Sequence, residues 1–316
     1  MRMIFLDFLQ FALALVLAPF VTGLVRKIKA RLCGRQGPQI RQPYRDVFKL
    51  LRKDVLLAKN ASWLFRISPY LIFVVIWFAT VIVPTFTTGL VFSSTADLVA
   101  LIALLGTARF LLALAGMDIG TSFGGLGASR EVMIAALAEP AMLMVTFTMA
   151  FVVHSTSLPA IATYFLTHNA GLQISLVLAL IALLLVSIAE NARIPVDNPS
   201  THLELTMVHE AMVLEYSGRH LAMIEMAAMM KLLLYISLIS CLFAPWGMAV
   251  GTSNDRALLI GLSSYVFKLI TGAVALAAFE TSIAKMRVFR VPEFLGGALL
   301  LGLLAVVFLY VTQGLI

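Results

Sequence analysis

Residues 171–205 read GLQISLVLALIALLLVSIAENARIPVDNPSTHLEL, and their character changes within one position. From Gly171 to Ala189 no side chain is charged; from Glu190 onward come Glu190, Arg193, Asp197, His202 and Glu204. An uncharged apolar run of about 20 residues is the length that crosses a bilayer as a helix. Pro195 and Pro199 stop that helix from continuing. A loop between two spans needs only to be wet, whereas this one concentrates carboxylates, an arginine and a histidine. It reads as a contact surface placed directly behind a membrane span.

The same alternation of apolar run and charged loop extends in both directions. Only 12% of the 316 residues are charged, 61% are hydrophobic, and the mean hydropathy is +1.00. A soluble domain carries about 25% charged residues, so the chain is a polytopic membrane protein. Apolar windows of about 20 residues fall at 3–25, 67–89, 97–117, 129–153, 171–190, 221–245, 257–280 and 292–313. The expected fold is all-α: one integral-membrane domain over 1–316, a bundle of about eight transmembrane helices. The first run is too long for a signal-peptide core and is read as a retained span. Residues 154–170, with His154 and His168, are read as an outer loop. The halves of the chain show no internal repeat, which weighs against a stand-alone transporter built from paired repeats.

Lysine and arginine placement orients the bundle. Segment 26–66 holds Arg26, Lys27, Lys29, Arg31, Arg35, Arg41, Arg45, Lys49, Arg52, Lys53, Lys59 and Arg66. Segments 191–220 and 281–291 add Arg193, Arg219, Lys285, Arg287 and Arg290 on the same side, against Arg2 and Arg256 on the other. The positive-inside rule then predicts a multi-pass protein of the cytoplasmic (inner) membrane. The loops 26–66, 118–128, 191–220 and 281–291 face the cytoplasm, and both termini face out.

Within the first loop, YRDVFKLLRK (44–53) places Val47, Leu50 and Leu51 on one helical face and Arg45, Lys49, Arg52 and Lys53 largely elsewhere. That predicts an amphipathic helix lying in the interface, held by anionic lipid. Asp46 and Asp54 favour an additional protein partner, because lipid binding gains nothing from acids. The glycines of DIGTSFGGLGASRE (118–131) are not a phosphate loop: no strand precedes them and no GxxxxGK[ST] follows. They are read as turn glycines, with Ser129 capping a helix that opens at Arg130 and Glu131. From Thr201, Leu203, Met207, Met212 and Val213 suggest a short amphipathic helix. His202 and His209 share a face seven residues apart, but no third ligand is evident and HEAMV lacks the second histidine of a zinc protease motif. Cys33 and Cys241 lie in unlike settings and form neither a disulfide nor a cluster site by themselves. No metal site is expected in this chain.

Four charges fall well inside spans: Arg109, Glu139, Lys231 and Lys268. Glu139 lies about 13 Å along a helix from Arg130. Each such charge costs roughly 2.5–3.5 kcal/mol on insertion scales and ordinarily marks an ion pathway. Glu131, Glu190, Glu225 and Glu280 stand near the cytoplasmic ends of their spans and extend that path to the loops. Salt bridges serving the bundle alone are the competing reading, but buried ion pairs seldom exceed apolar packing in stability.

These residues carry a family resemblance. RQGP (35–38), YRDVFKLL (44–51), ARFLLALAGMDIGTSFGGLGASRE (108–131), Glu139–Pro140, ENARIPVD (190–197), LEL (203–205), LEYSG (214–218) and AAFETSIAKMR (277–287) resemble the respiratory complex I subunit 1 family over the whole chain. Within it, the likeness is to the membrane-bound nickel–iron hydrogenase branch, of formate hydrogenlyase and hydrogenase-4 type. Ser200 and His202 stand where the quinone-linked pattern has glutamates, and the Glu204–Glu215 spacing is longer, which points to the hydrogenase branch.

The resemblance implies a non-catalytic membrane subunit on which the electron-transfer arm docks and in which a glutamate chain couples redox events to proton or sodium movement. It assigns Glu139, Glu190, Glu204 and Glu215 to family carboxylates and Arg193 and Asp197 to the cytoplasmic-loop pair. With the residues above, the expected ion-coupling set is Glu131, Glu139, Glu190, Glu204, Glu215, Glu225, Glu280, Arg109, Lys231 and Lys268. The expected docking set is Arg35, Arg45, Asp46, Lys49, Arg130, Arg193, Asp197 and His202. The implied partners are hydrogenase large and small subunits, an iron–sulfur protein and antiporter-like membrane subunits, with lipid around them and no nucleic acid. The nickel–iron site and iron–sulfur clusters are expected in those partners. Two rivals stand: a quinone-site subunit of a complex I-type oxidoreductase, and a lone ion transporter.

Overall fold

A computed structural model describes residues 2–58, 60–168, 173–197, 208–251, 255–284, 286 and 290–314. Among them every regular element is helical: α1 (Arg2–Leu32), α2 (Gln42–Leu51), α3 (Trp63–Ile82), α4 (Leu98–Asp118), α5 (Ser122–Val153), α6 (Leu158–Thr167), α7 (Ile174–Glu190), α8 (His209–Val213), α9 (Gly218–Phe243), α10 (Asp255–Ser282) and α11 (Val291–Gly314), with a short 3-10 turn at Val91–Thr95. The eight expected spans correspond to α1, α3, α4, α5, α7, α9, α10 and α11. Seven of these are long and apolar enough to cross a membrane. The eighth, α7, has 17 residues and reaches about 26 Å, at the short end of what spans.

Helix ends follow local chemistry. Ser62 Oγ accepts from Leu64 N at 3.1 Å, Asp97 Oδ1 from Val99 N at 2.7 Å, and Thr121 Oγ1 from Gly124 N at 3.2 Å, opening α3, α4 and α5. Inside the spans, hydroxyls turn back on their own helix, as Ser68 does to the Leu64 carbonyl, Thr146 to Met142 and Ser237 to Leu233. That satisfies polar atoms where no water can.

The bundle packs α3 against α4 and α9, α1 against α9 and α10, and α11 against α5 and α7. Small residues make the closest approaches: Ala18, Ala79, Ala138, Ala141, Ala182, Ala273 and Ala298 are fully buried. Lipid tails are as apolar as leucine, so helix association in membranes depends on such close fit. Phe8, Phe110, Phe267 and Tyr310 point outward, as a hydrocarbon surround permits.

Four sequence expectations change. The basic segment begins inside α1, which runs on to Leu32, and its far end belongs to α3. Residues 158–167 form α6, ten residues too short to span, inside the expected outer loop. The 118–128 segment is barely a loop: only Ile119–Thr121 separate α4 from α5, and the glycines from Gly124 onward are helical. Gly120, at φ +72°, is a turn glycine as expected, but Gly124 and Gly127 serve close packing: a Cβ on Gly124 would collide with the Gly116 carbonyl, and one on Gly127 would meet Met212 and the Val208 carbonyl. Ser129 is therefore mid-helix, donating to the Leu126 carbonyl, and Thr121 is the cap. The amphipathic helix expected over 44–53 is present as α2 (Gln42–Leu51), packed on α1 and α9, with Tyr44 donating to the Val16 carbonyl and Phe48 and Leu51 exposed. The short helix expected from Thr201 is seen only over His209–Val213; residues 198–207 lie outside the described residues.

Candidate functional site

Residues of α1, α3, α4, α5, α7, α9 and α10 surround a cavity of about 860 Å³. Its walls are apolar, from Val25, Ile72, Ile76, Leu105, Leu112 and Ile224, and its mouth is basic, from Arg26, Lys29, Arg35 and Arg193. Glu131, Glu190, Glu225 and Lys231 line it further in, with Arg109. The roof is α8, seated on Gly127 of α5.

Arg109 is the hub. Its guanidinium contacts the Glu190 carboxylate directly, with 4% of either side chain exposed. Nε lies 3.3 Å from Glu131 Oε1, and Nη1 lies 3.9 Å from Glu139 Oε1. The other oxygen of Glu190 is 2.7 Å from Lys231 Nζ. Four helices thus bring together one arginine, one lysine and three carboxylates. Arg109 comes from mid-α4, Glu131 and Glu139 from α5, Glu190 from the last residue of α7, and Lys231 from α9. The formal charges sum to two positive and three negative, a net of −1.

Glu139 differs from its partners. Its side chain is 44% exposed, against 4% for Glu190. It sits beside Gly106, where a Cβ would lie 3.2 Å from Glu139 Oε1. The cluster therefore begins in the cavity and ends at the side of the bundle.

A second node guards the mouth. Glu280 of α10 is buried, with Lys29 Nζ 2.7 Å from Oε2 and Arg193 Nη1 3.4 Å from Oε1. Burial lowers the affinity of Arg193 for its proton, and the Glu280 carboxylate opposes that. Asp197 is buried and accepts from Val208 N at 3.2 Å, tying the end of the post-α7 loop to the start of α8. Met286 N donates to the Pro195 carbonyl at 3.0 Å. The loop 191–197 is thus anchored to α8, α10 and the segment that follows it.

The expected coupling set divides. Arg109, Glu131, Glu139, Glu190 and Lys231 meet; Glu225 lines the same cavity; Glu280 closes its mouth. Glu215 is exposed on the turn after α8 and does not join them. Lys268 is half-buried in α10 and makes no ion pair among the described residues; Cys241 is the titratable group beside it. Glu204 and His202 lie outside the described residues.

Of the docking set, Arg35 stands at the mouth, Arg45 and Lys49 are on α2, and Asp46 accepts from Gln42 Nε2 at 2.8 Å. Arg130 is half-buried and already partnered. Arg193 and Asp197 are engaged internally rather than displayed.

His209 is legible in the sequence only as half of a metal pair. In the structure it lines the cavity from α8, facing Glu131, Glu225, Asp197 and Lys231, and burial lowers its pKa below the ordinary histidine value. No spacing in the sequence signals this, because the neighbours come from three other segments. Among the described residues no group of three His, Cys, Asp or Glu is placed to hold a metal ion.

Known proteins resemble this chain in sequence and in fold. A family model described as NADH dehydrogenase matches residues 6–311. Formate hydrogenlyase subunit 4 of Escherichia coli (strain K12) is 32% identical over 285 residues, 90% of this chain and 92% of its own length. Hydrogenase-4 component C of the same organism is 32% identical over 278 residues, 88% of this chain and 87% of its own. NADH-ubiquinone oxidoreductase chain 1 of Hyaloraphidium curvatum is 25% identical over 202 residues, 61% of this chain and 67% of its own. In fold, a chain from the membrane-bound sulfane sulfur reductase, an archaeal respiratory membrane complex, superposes with a TM-score of 0.83 at 18% identity, covering 98% of this chain and 100% of that one. The family match over nearly the whole length, together with relatives that align end to end, makes this chain a member of the NADH dehydrogenase family typified by complex I subunit 1.

Proposed function

We propose that this chain is the membrane-anchor and ion-coupling subunit of a multisubunit nickel–iron hydrogenase complex of formate hydrogenlyase type. The two relatives at 32% identity support the hydrogenase branch. The observation that carries the coupling role is the Arg109 cluster, which runs from a cavity at the basic end to Glu139 at the side of the bundle. Such a cluster is a poor investment for stability alone, since apolar side chains of similar volume serve as well or better. Groups with alternative partners at short range do supply something else: a place where a small shift changes which carboxylate holds a proton.

The route follows from the connections. Glu190 is the last residue of α7, and Asn191–Asp197 continue directly from it. A hydrogenase arm resting on the basic surface, through Arg35, Arg45 and Lys49, presses on that loop. Displacing the loop moves Glu190 between Arg109 and Lys231. When Glu190 leaves Arg109 it takes up a proton from the cavity side, and on its return to the guanidinium that proton passes to Glu139. Glu139 then delivers its ion sideways to an antiporter-like neighbour, and His209 and Glu225 refill the cluster from the cavity. The nickel–iron site and iron–sulfur clusters belong to the large, small and iron–sulfur subunits.

The second reading, a quinone-site subunit of a complex I-type enzyme, is favoured by the cavity itself. Its volume of 860 Å³ and apolar walls suit a ligand of quinone size. One purification separates the two. The complex is drawn from its own membranes in mild detergent and assayed for nickel and hydrogen-dependent dye reduction. Nickel with that activity is expected. A nickel-free complex that reduces quinone, and is blocked by quinone-site inhibitors, replaces the first reading with the second.

A further inference from the structure

Among the described residues Tyr216, Tyr235 and Tyr265 are the buried tyrosines. A buried hydroxyl without a partner is costly, and two of these have one. Tyr216 donates to the Phe65 carbonyl at 3.1 Å, and the Tyr265 hydroxyl pairs with Ser237 at 2.9 Å. Tyr235 of α9 is 2% exposed, yet its hydroxyl bonds to no described residue. Phenylalanine would pack there without that cost. Tyr235 instead lines a second cavity, of about 10 Å³, apart from the large one. Arg109, Glu139 and Glu190 line it too, beside the apolar Ile102 and Met142. Arg109 and Glu139 are the charges that act on the Tyr235 phenol.

That volume holds about one water molecule, and the polar atoms around it suit one. Arg109 Nη1 is buried without a hydrogen-bond partner. It lies 3.9 Å from Glu139 Oε1, too far for a direct hydrogen bond and within reach of a bridging water. Nη1 donates, the Glu139 carboxylate accepts, and the Tyr235 hydroxyl does either. We infer that Tyr235 is a positioning residue for proton transfer, its hydroxyl holding one water between Glu190 and Glu139 beside the Arg109 guanidinium. The inference rests on the coupling role proposed above and names the path of the proton from Glu190 to Glu139. The O–H bond of the Glu190 carboxyl breaks as the water takes its proton, and the water gives one of its own to the Glu139 carboxylate. Water and Tyr235 end as they began, and the two carboxyls have exchanged charge. The guanidinium itself has no acceptor with which to carry that proton.

The test uses the whole complex, as the parent and as Tyr235→Phe, which keeps the ring and removes only the hydroxyl. Cryo-electron microscopy at a resolution that shows ordered water is expected to place one water within hydrogen-bond distance of Tyr235, Arg109 and Glu139 in the parent, and none there in the variant. In sealed vesicles, ion flux per hydrogen turned over is expected to fall severalfold in Tyr235→Phe and to slow further in heavy water than the parent's does. Dye-linked hydrogenase activity, which belongs to the partner subunits, reports assembly. A merely structural tyrosine would leave the isotope effect unchanged. No water at that point in the parent, or flux and isotope effect in Tyr235→Phe equal to the parent's, overturns the inference. Glu139→Gln vesicles separate its failure from that of the coupling role. Parental flux in Glu139→Gln removes the coupling role and this inference with it. Reduced flux in Glu139→Gln beside parental flux in Tyr235→Phe removes the inference alone.

Discussion

Replacing Glu190 with glutamine removes the anion shared by Arg109 and Lys231 at almost constant size. Only 4% of the Glu190 side chain and 18% of Lys231 are exposed, so solvent screens little. The cluster goes from a net charge of −1 to zero, yet Lys231 loses its 2.7 Å partner. Arg109 keeps Glu131 at 3.3 Å and the more exposed Glu139 at 3.9 Å. Breaking a buried pair from one side costs about 3–5 kcal/mol. Relief of repulsion among three carboxylates sets the expected loss at the lower end, about 3 kcal/mol, or roughly two orders of magnitude in the folding equilibrium. The assay is a double-mutant cycle with Lys231→Met, read by denaturant unfolding in detergent. The expected coupling energy is about 1–3 kcal/mol, the range for charged neighbours. A Glu190→Gln protein within about 0.5 kcal/mol of the parent, with additive effects in the cycle, would refute the reasoning: Glu190 would then be neutral in the resting state and the cluster would not be the charged hub described.

Two further expectations concern the roof of the cavity. Because burial lowers the His209 pKa, the unfolded chain binds the extra proton first as pH falls. The stability that His209 contributes is complete above about pH 6.5, the unfolded value, and is lost as pH drops below it; His209→Gln should flatten that slope in unfolding midpoints measured from pH 8 to 5. Gly127→Ala would place a Cβ 2.9 Å from both Met212 Cγ and the Val208 carbonyl oxygen, and backbone cannot yield as a side chain can. The expected cost is about 1–3 kcal/mol, with faster amide exchange across His209–Val213 while exchange in α9 is unchanged.

The spans are legible in the sequence because an apolar window of bilayer length admits few other readings, and all eight helices appear where those windows fall. The ten residues of α6 escape such a reading because a short apolar helix and an apolar loop look alike in composition. Of the glycines in 118–131, Gly120 is the turn glycine the sequence suggests, at φ +72°, whereas Gly124 and Gly127 mislead for a physical reason. In a loop glycine supplies unusual backbone angles, but between membrane helices it supplies proximity, and Gly116, Gly124 and Gly127 do the latter. Mid-span charges announce the site, and their cost explains why Arg109, Glu139 and Lys231 stand out without a structure. Partnership does not. Nothing in the order of residues places Lys268 apart from the cluster, draws Lys29 and Arg193 to Glu280, or sends Glu215 to the surface. Those outcomes depend on which faces of α1, α8, α9 and α10 meet. His209 is hidden for the same reason.

Glu139 is where coupling and structure part company most clearly, because it is the half-exposed end of an otherwise buried cluster and contributes least to holding it together. The decisive measurement is the ion flux per hydrogen turned over in sealed inverted membrane vesicles carrying Glu139→Gln, with dye-linked hydrogenase activity measured on the same vesicles. A subunit that couples through this cluster predicts near-normal dye-linked activity with the flux per turnover sharply reduced. Flux per turnover equal to the parent's would contradict it.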